Sequence, residues 1–249
     1  MAGHSHWANI KHKKARVDAK RAKVWGKIAK KIMVAAKSGP DVADNLALRY
    51  VVDEAKAANM PKDTIQKAID KGSGALGADD YEEIVYEGYG PGGVAILLEI
   101  LTDNRNRTAG EIRNTFDKSG GNLATSGSVA FQFEKKGLIA VNVGGAEDAG
   151  KDEEALMDLA LEAGAEDFES GDGMYQITTG VSEFTGVRDA LDAEGVPVED
   201  AALTNIAQNT VEVDGDTAGK VAKLLDTLDD NDDVQTVSHN AELPEEVLS

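Results

Sequence analysis

The sequence predicts an α+β protein: an N-terminal three-helix domain followed by two ferredoxin-like α+β domains, one inserted into the other. Apolar residues recur at helical spacing up to Gly72, and strands alternate with helices after the glycine-rich stretch that follows. The length of 249 residues is sufficient for two or three domains with separate cores. We expect the domains to comprise residues 1–75, 78–136 together with 204–240, and 137–203.

The first 72 residues predict three helices. Apolar side chains from Val17 to Ala36 repeat at steps of three and four, and lysines occupy another face of the same helix. A second helical pattern covers about 42–58. For the third helix, Asn59 is the predicted cap, Pro61 fits the first turn, and Gly72 ends the pattern.

The first α+β domain is predicted from two separate parts of the chain. Strand and helix patterns near its start and near the C-terminus complement each other as two halves of one two-layer unit. The predicted strands are Tyr86–Tyr89, Val94–Thr102, Val129–Phe133, Thr210–Val213 and Val234–Val237, and the predicted helices are Arg105–Lys118 and Thr217–Leu228. Residues 138–203 lie between these halves and show a β-α-β-β-α-β order of their own, which is the ferredoxin-like arrangement.

Charge is strongly segregated along the chain. The net charge is −19, yet residues 1–37, the basic segment, contain eleven Lys and Arg and one acid, Asp18. Residues 138–249 contain four Lys and Arg against 28 Asp and Glu. Such a basic segment is suited to binding a polyanion at the N-terminus. The acidic rest of the chain would repel the same polyanion. The acidic half itself is explained by solubility or by a proteome adapted to salt, and alternatively by binding of a basic protein.

Candidate binding residues follow from this pattern. Cations before and along the first helix are suited to following phosphates, and His6 and Trp7 are suited to stacking on a base. Two arginines at a strand-to-helix junction form either an anion site or a capped turn paired with local acids, with Asn106 or Thr108 as the cap. The candidates are His6, Trp7, Lys11, Lys13, Lys14, Arg16, Lys20, Arg21, Lys23, Lys27, Lys30, Lys31, Arg105 and Arg107.

The sequence offers little for catalysis. It contains no Cys, no serine is matched with a His and Asp set, and we predict no metal, cofactor or small-molecule substrate. The glycine-rich run from Gly88 to Gly93 precedes a strand rather than a helix, so it predicts a turn and not a phosphate loop. No apolar run approaches the length of a membrane span, and we expect a cytoplasmic protein without a membrane partner.

Several long motifs carry a resemblance to a known family. They are AGHSHWANIKHKKARVDAKRAK from Ala2, NMPKDTIQKAIDKG from Asn59, GYGPGGVA from Gly88, TDNRNRT from Thr102, and GGNL from Gly120 with SGSVAFQF after it. At these motifs the chain resembles the YebC/PmpR family of presumed transcriptional regulators, which includes mitochondrial translational activators. Ala124 and Gln132 depart from the usual family pattern and concern the local loop geometry.

The resemblance implies a three-domain, cytoplasmic, non-enzymatic protein that binds nucleic acid. The family label favours transcription and DNA, whereas the lack of a clear base-reading helix favours RNA or weakly specific DNA. A ribosome-associated translation factor that binds ribosomal RNA, and an acidic adaptor that binds a protein, remain as alternatives. We expect residues 1–16, which contain few apolar anchors, to become ordered only on their ligand.

Overall fold

The computed structural model describes residues 21–75, 81–171, 173–244 and 247, and it confirms the predicted α+β class. An all-helical domain precedes two antiparallel four-stranded sheets with helices packed on them. Within the described part of the chain, no helix is both long and apolar enough to cross a membrane.

Three helices form the helical domain. They are α1 (Arg21–Ala36), α2 (Leu46–Ala57) and α3 (Lys62–Gly72). Asn45 caps α2, because its side-chain oxygen accepts a hydrogen bond from the Leu48 amide at 3.0 Å. The predicted cap at Asn59 is wrong. Its φ of 56° places Asn59 in the left-handed region just after α2, and Pro61 is the residue before α3.

The helical domain has its own apolar core. Ile32 of α1 and Leu48 of α2 are fully buried, and Ile65 and Ile69 of α3 pack in the same cluster. Gly72 is required by the close approach of α3 to α1, since a Cβ atom there would lie 2.2 Å from the Met33 carbonyl oxygen. The two helices therefore pack backbone to backbone at this point.

The first α+β domain combines chain segments from both sides of the second. Its helices are α4 (Arg105–Lys118) and α8 (Gly215–Asp229), and its sheet contains β1 (Glu82–Tyr89), β2 (Ala95–Thr102), β3 (Asn122–Leu123) and β9 (Val234–His239). The sheet order β3-β1-β2-β9 is that of a ferredoxin-like sheet with a permuted connection, because its two inner strands are the first and second along the chain and not the first and third. Ile96, Leu98 and Phe116 are fully buried between sheet and helices. The short strands β8 (Val211–Glu212) and β10 (Ala241–Glu242) pair with each other separately.

The second α+β domain follows the ferredoxin-like pattern directly. Its elements are β4 (Phe133–Asn142), α5 (Val143–Asp148), α6 (Glu153–Glu162), β5 (Ala165–Gly171), β6 (Met174–Thr179), α7 (Phe184–Ala193) and β7 (Val198–Ala207). The order β5-β6-β4-β7 places the first and third strands at the centre. Because β4 begins at Phe133 and β7 ends at Ala207, this sheet extends four residues beyond the predicted limits of 137 and 203 on each side.

The predicted strand Val129–Phe133 is wrong. Residues Ala130–Gln132 form a short 3-10 helix, and Phe131, predicted to share a face with Phe133, is 71% exposed. The cause is the buried carboxylate of Glu87, which accepts hydrogen bonds from the amides of Gly127, Val129 and Ala130 at 2.7–2.9 Å. These bonds hold the segment in a turn that no periodic pattern reveals.

The three units contact one another in different ways. Ala95 and Leu97 of β2 pack with Val129 and Phe133 in an apolar cluster between the two α+β domains. The core of the helical domain is separate from the core of the first α+β domain. Tyr81, just before β1, packs on the helical core, and polar contacts supply much of the remaining junction between these two units.

Candidate nucleic-acid interface

The predicted binding residues fall into two groups in the structure. Seven lie outside the described residues: His6, Trp7, Lys11, Lys13, Lys14, Arg16 and Lys20. Arg21 begins α1, but its side chain is not described. The positions of the remaining candidates are defined by α1 and by the start of α4.

Lys23, Lys27 and Lys30 form one row along α1, which we call the lysine row. Their spacing of four and three residues places them on one helix face. The row faces the end of α8 and the residues that follow it, Asp229–Asp233, which we call the acidic loop. Lys23 Nζ lies 2.9 Å from the Asp230 carbonyl oxygen and 4.0 Å from its carboxylate.

The two inner lysines of the row make the closer ion pairs. Lys27 Nζ lies 2.7 Å from the Asp229 carbonyl oxygen and 3.1 Å from its Oδ1 atom. Lys30 Nζ lies 2.8 Å from the Asp232 carbonyl oxygen and 2.7 Å from Asp233 Oδ1. The whole row is therefore engaged with an acidic part of the same molecule.

The other described cations of the basic segment point elsewhere. Lys31 forms an ion pair with Glu54 of α2 at 2.9 Å. Lys37 donates a hydrogen bond to the carbonyl oxygen of Tyr81 at 3.2 Å. These two lysines contact neighbouring parts of the protein and do not extend the row.

Asp233 is the central acceptor of the contact. Its Oδ2 atom accepts from Thr108 Oγ1 at 2.7 Å and from the Arg107 guanidinium at 2.8 Å, while Oδ1 accepts from Lys30. Burial alone raises the pKa of Asp233, but hydrogen bonds from Lys30, Arg107 and Thr108 outweigh it and lower the pKa to about 2. The carboxylate is thus held ionised between two domains.

The two predicted arginines differ in their environments. Arg107 donates to Asp103 at 2.9 Å as well as to Asp233, and hydrogen bonds to these two carboxylates raise its pKa. Arg105 is exposed at the first position of α4. The helix cap is Asn104, which accepts from the Arg107 amide, so the predicted caps Asn106 and Thr108 are wrong. The sequence left two alternatives for this turn, an anion site or a capped turn whose arginines pair with local acids. Arg107 makes the contacts of the second alternative.

A polar cleft of about 450 Å³ opens beside these contacts. It is lined by side chains of both charges, including Lys23, Lys30 and Arg107 opposite Asp103 and Glu111. Lys30 also lies 5.7 Å from the centre of the Tyr81 ring, within cation–π range. Because carboxylates stand beside the cations in its lining, the cleft offers no continuous positive surface to an anionic ligand.

The acidic loop was missed as a partner for the lysines, although the sequence contained a signal for it. Four aspartates follow one another with a single Asn at the C-terminal end of α8, and the last turn of that helix holds no basic residue. Acids at this end are disfavoured by the helix dipole and by the carbonyl groups that the helix leaves unpaired. Such an end needs cations from elsewhere in the fold, and the lysine row supplies them.

These observations define the class of protein: a helical domain with a basic N-terminus, docked through charged contacts onto paired ferredoxin-like domains. Comparison of the sequence with models of known protein families then identifies the family. Residues 5–75 match the model described as the TACO1/YebC protein N-terminal domain, and residues 81–241 match the TACO1/YebC second and third domain. The chain belongs to this family, and the predicted resemblance is confirmed.

Relatives with assigned names are similar over their whole length. A protein of Clostridium botulinum is 51% identical over 98% of both chains, and one of Natranaerobius thermophilus is 52% identical over 100% of this chain and 99% of its own. Both are named "Probable transcriptional regulatory protein". The crystal structure of a conserved hypothetical protein from Aquifex aeolicus is 47% identical, with a TM-score of 0.86 over 98% of this chain and 99% of that one.

Proposed function

We propose that the protein is a nucleic-acid-binding regulator of gene expression, which acts on transcription and holds DNA through its basic segment. The observation that carries the proposal is the segregation of charge, with eleven cations and one acid in residues 1–37 of a chain whose net charge is −19. The names of the relatives support a regulatory role. The role is one of binding and not of catalysis. The proposed domains are 1–75, 78–136 with 204–240, and 137–203, with the sheet of the last domain extending to Phe133 and Ala207.

We assign the first phosphate contacts to the cations that precede α1. The lysine row and Lys31 already have carboxylate partners, so a phosphate must compete for them. The cations assigned to these first contacts are Lys11, Lys13, Lys14, Arg16 and Lys20. His6 and Trp7 are in the same segment and supply imidazole and indole groups that can stack on bases.

A second candidate function is binding of ribosomal RNA as a translation factor. Two features favour it: the lysine row faces the acidic loop and not an open groove, and the exposed Phe131 offers a ring to an unpaired base. Contacts between lysine and phosphate do not distinguish one base sequence from another. These features therefore do not indicate a DNA-binding protein with strong sequence specificity.

The proposal is tested by neutralising the cations before α1 in the full-length protein. Five substitutions to Gln, at Lys11, Lys13, Lys14, Arg16 and Lys20, remove about five phosphate contacts and should weaken binding to a DNA duplex and to single-stranded RNA by at least roughly tenfold. The matched control replaces five exposed lysines of other elements with Gln: Lys62, Lys67, Lys118, Lys220 and Lys223. Equal weakening by both variants would overturn the assignment, because only the overall charge would then matter.

The choice between DNA and RNA needs a measurement in cells. We expect crosslinking followed by sequencing of both bound DNA and bound RNA to recover promoter fragments if the protein acts on transcription. Recovery of ribosomal RNA without promoter enrichment would contradict the transcriptional proposal and favour the translation factor.

A further inference from the structure

The contact between the lysine row and the acidic loop resembles the contact that the row would make with a nucleic acid. Each lysine of the row meets both a backbone carbonyl oxygen and a carboxylate of the loop. The oxygens come from a short run of successive residues, with Lys23 and Lys27 on Asp230 and Asp229 and Lys30 on Asp232 and Asp233. A phosphate backbone presents anionic oxygens in a comparable series.

The strength of this contact decreases from one end to the other. At the inner end the side chains of Lys30 and Asp233 are 15% and 7% exposed, whereas at the outer end those of Lys23 and Asp230 are 44% and 42% exposed. Exposed ion pairs are weak and are screened by salt. The contact can therefore open from the Lys23 end.

The rest of the docking surface is compatible with such opening. The buried cores of the helical domain and of the first α+β domain are separate clusters, and the described apolar contact between these two units is made by the partly buried Tyr81, which packs on the helical core. On the second α+β domain, Tyr50 of α2 shares a hydrogen bond with Thr185 and lies 5.6 Å from the Arg188 guanidinium. Interfaces made of a few polar contacts permit domain motion more readily than apolar ones.

We propose that the acidic loop is an internal competitor for nucleic acid: it occupies the lysine row until a polyanion displaces it and releases the helical domain. The inference rests on the proposed function, because it requires that the basic segment binds nucleic acid. The residues before α1 make the first contact, and the row joins as the loop leaves. Polyanion binding then has a built-in threshold and changes the domain arrangement.

The competition is tested by removing charge from the loop in the full-length protein. Replacing Asp229, Asp230 and Asp232 with Asn leaves the buried Asp233 intact and should tighten binding to a DNA duplex or single-stranded RNA by roughly fivefold to tenfold. The matched control replaces Glu83, Asp117 and Glu212, three exposed acids of the same domain, with Gln, Asn and Gln. Its change in net charge is identical, so it measures the effect of charge alone.

A second pair of substitutions tests whether the gain in affinity for nucleic acid depends on the lysine row. Lys23→Gln with Lys27→Gln, added to the three Asn substitutions, should abolish the gain in affinity. If the gain persists without these lysines, or if the control variant gains as much, the proposal is overturned.

Domain release is measured in a protein that keeps the loop intact. Because the chain has no Cys, Gln66→Cys in α3 and Asn114→Cys in α4 provide two exposed labelling positions. The distance between the labels should increase when DNA or RNA is added, and the increase should occur at lower concentration in the three-Asn variant. An unchanged distance despite binding would overturn the competition and leave the proposed function standing. Failure of both proteins to bind either nucleic acid would overturn the proposed function itself.

Discussion

Asp233 connects two domains through a single buried carboxylate. It accepts from Lys30 of the helical domain and from Thr108 and Arg107 of α4, and these bonds lower its pKa from the ordinary value near 3.8 to about 2. A pKa that is lower in the folded protein means that the ionised group adds stability above the unfolded pKa. That stability is lost as the pH falls through the folded pKa.

We therefore predict a specific pH dependence of stability at this residue. The free energy of unfolding of wild type minus that of Asp233→Asn should decrease by roughly 2 kcal/mol as the pH falls from about 4 to 2. The reason is that the Asp233 carboxylate takes up a proton in this range, whereas the Asn side chain does not titrate. Denaturant unfolding at a series of pH values measures it. The exposed Asp117→Asn serves as the control, and a difference that stays constant over this range would contradict the assignment.

Glu87 gives a second prediction at the residue scale. Burial raises its pKa, but hydrogen bonds from the amides of Val129, Gly127 and Ala130 outweigh this and lower it. Glu87→Gln replaces one acceptor oxygen by an amide group that faces an N–H donor, and should cost about 2–4 kcal/mol in free energy of unfolding. Glu83→Gln, an exposed change on the same strand, should cost less than about 0.5 kcal/mol. Equal costs in denaturant unfolding would show that the Glu87 bonds are not important for stability.

At the scale of elements, local patterns predicted helix bounds well where the apolar periodicity is clear, even where the predicted cap was wrong. The helix Arg105–Lys118 has the predicted bounds, because its apolar spacing begins and ends at clear turn residues. The strand predicted at 129–133 failed because its conformation depends on Glu87, about 40 residues away. Interactions over such distances have no signature in a local pattern.

Packing between helices gives a prediction about Gly72. A Cβ atom there would clash with the Met33 backbone, whereas one at Gly26, within α1, would meet nothing within 4 Å. Gly72→Ala should lower the free energy of unfolding of the helical domain by about 1–3 kcal/mol, and Gly26→Ala should raise it by up to about 1 kcal/mol. Denaturant unfolding followed by the fluorescence of Trp25, whose indole donates to the Ala58 carbonyl, reports on this domain. A Gly72→Ala variant as stable as wild type would contradict the close packing.

At the scale of the whole molecule, composition predicted charge segregation but not where the two charges meet. The basic helix and the acidic loop are about 200 residues apart in sequence, and only the fold brings the lysine row to the end of α8. The candidate site is therefore partly different from its prediction. Lysines of α1 expected to face phosphates contact carboxylates instead, while the nucleic-acid contacts of the residues before α1 remain a prediction.

Under the proposed function, the same arrangement reconciles a strongly acidic molecule with the binding of a polyanion. The negative charge of residues 138–249 repels nucleic acid from most of the surface, and the acidic loop neutralises the lysine row in the docked state. Binding should then depend steeply on salt, because it relies on a small number of cations near the N-terminus.

The most direct test of the account is the salt dependence of binding to a DNA duplex. Five phosphate contacts from the cations before α1 predict a slope of about −4 to −5 in a plot of log affinity against log salt concentration, and participation of the lysine row would steepen it to about −7. Neutralising Lys11, Lys13, Lys14, Arg16 and Lys20 should bring the slope close to that of the lysine row alone, about −3 or shallower. A slope that is the same in wild type and in this variant would contradict the claim that the N-terminal cations hold the nucleic acid.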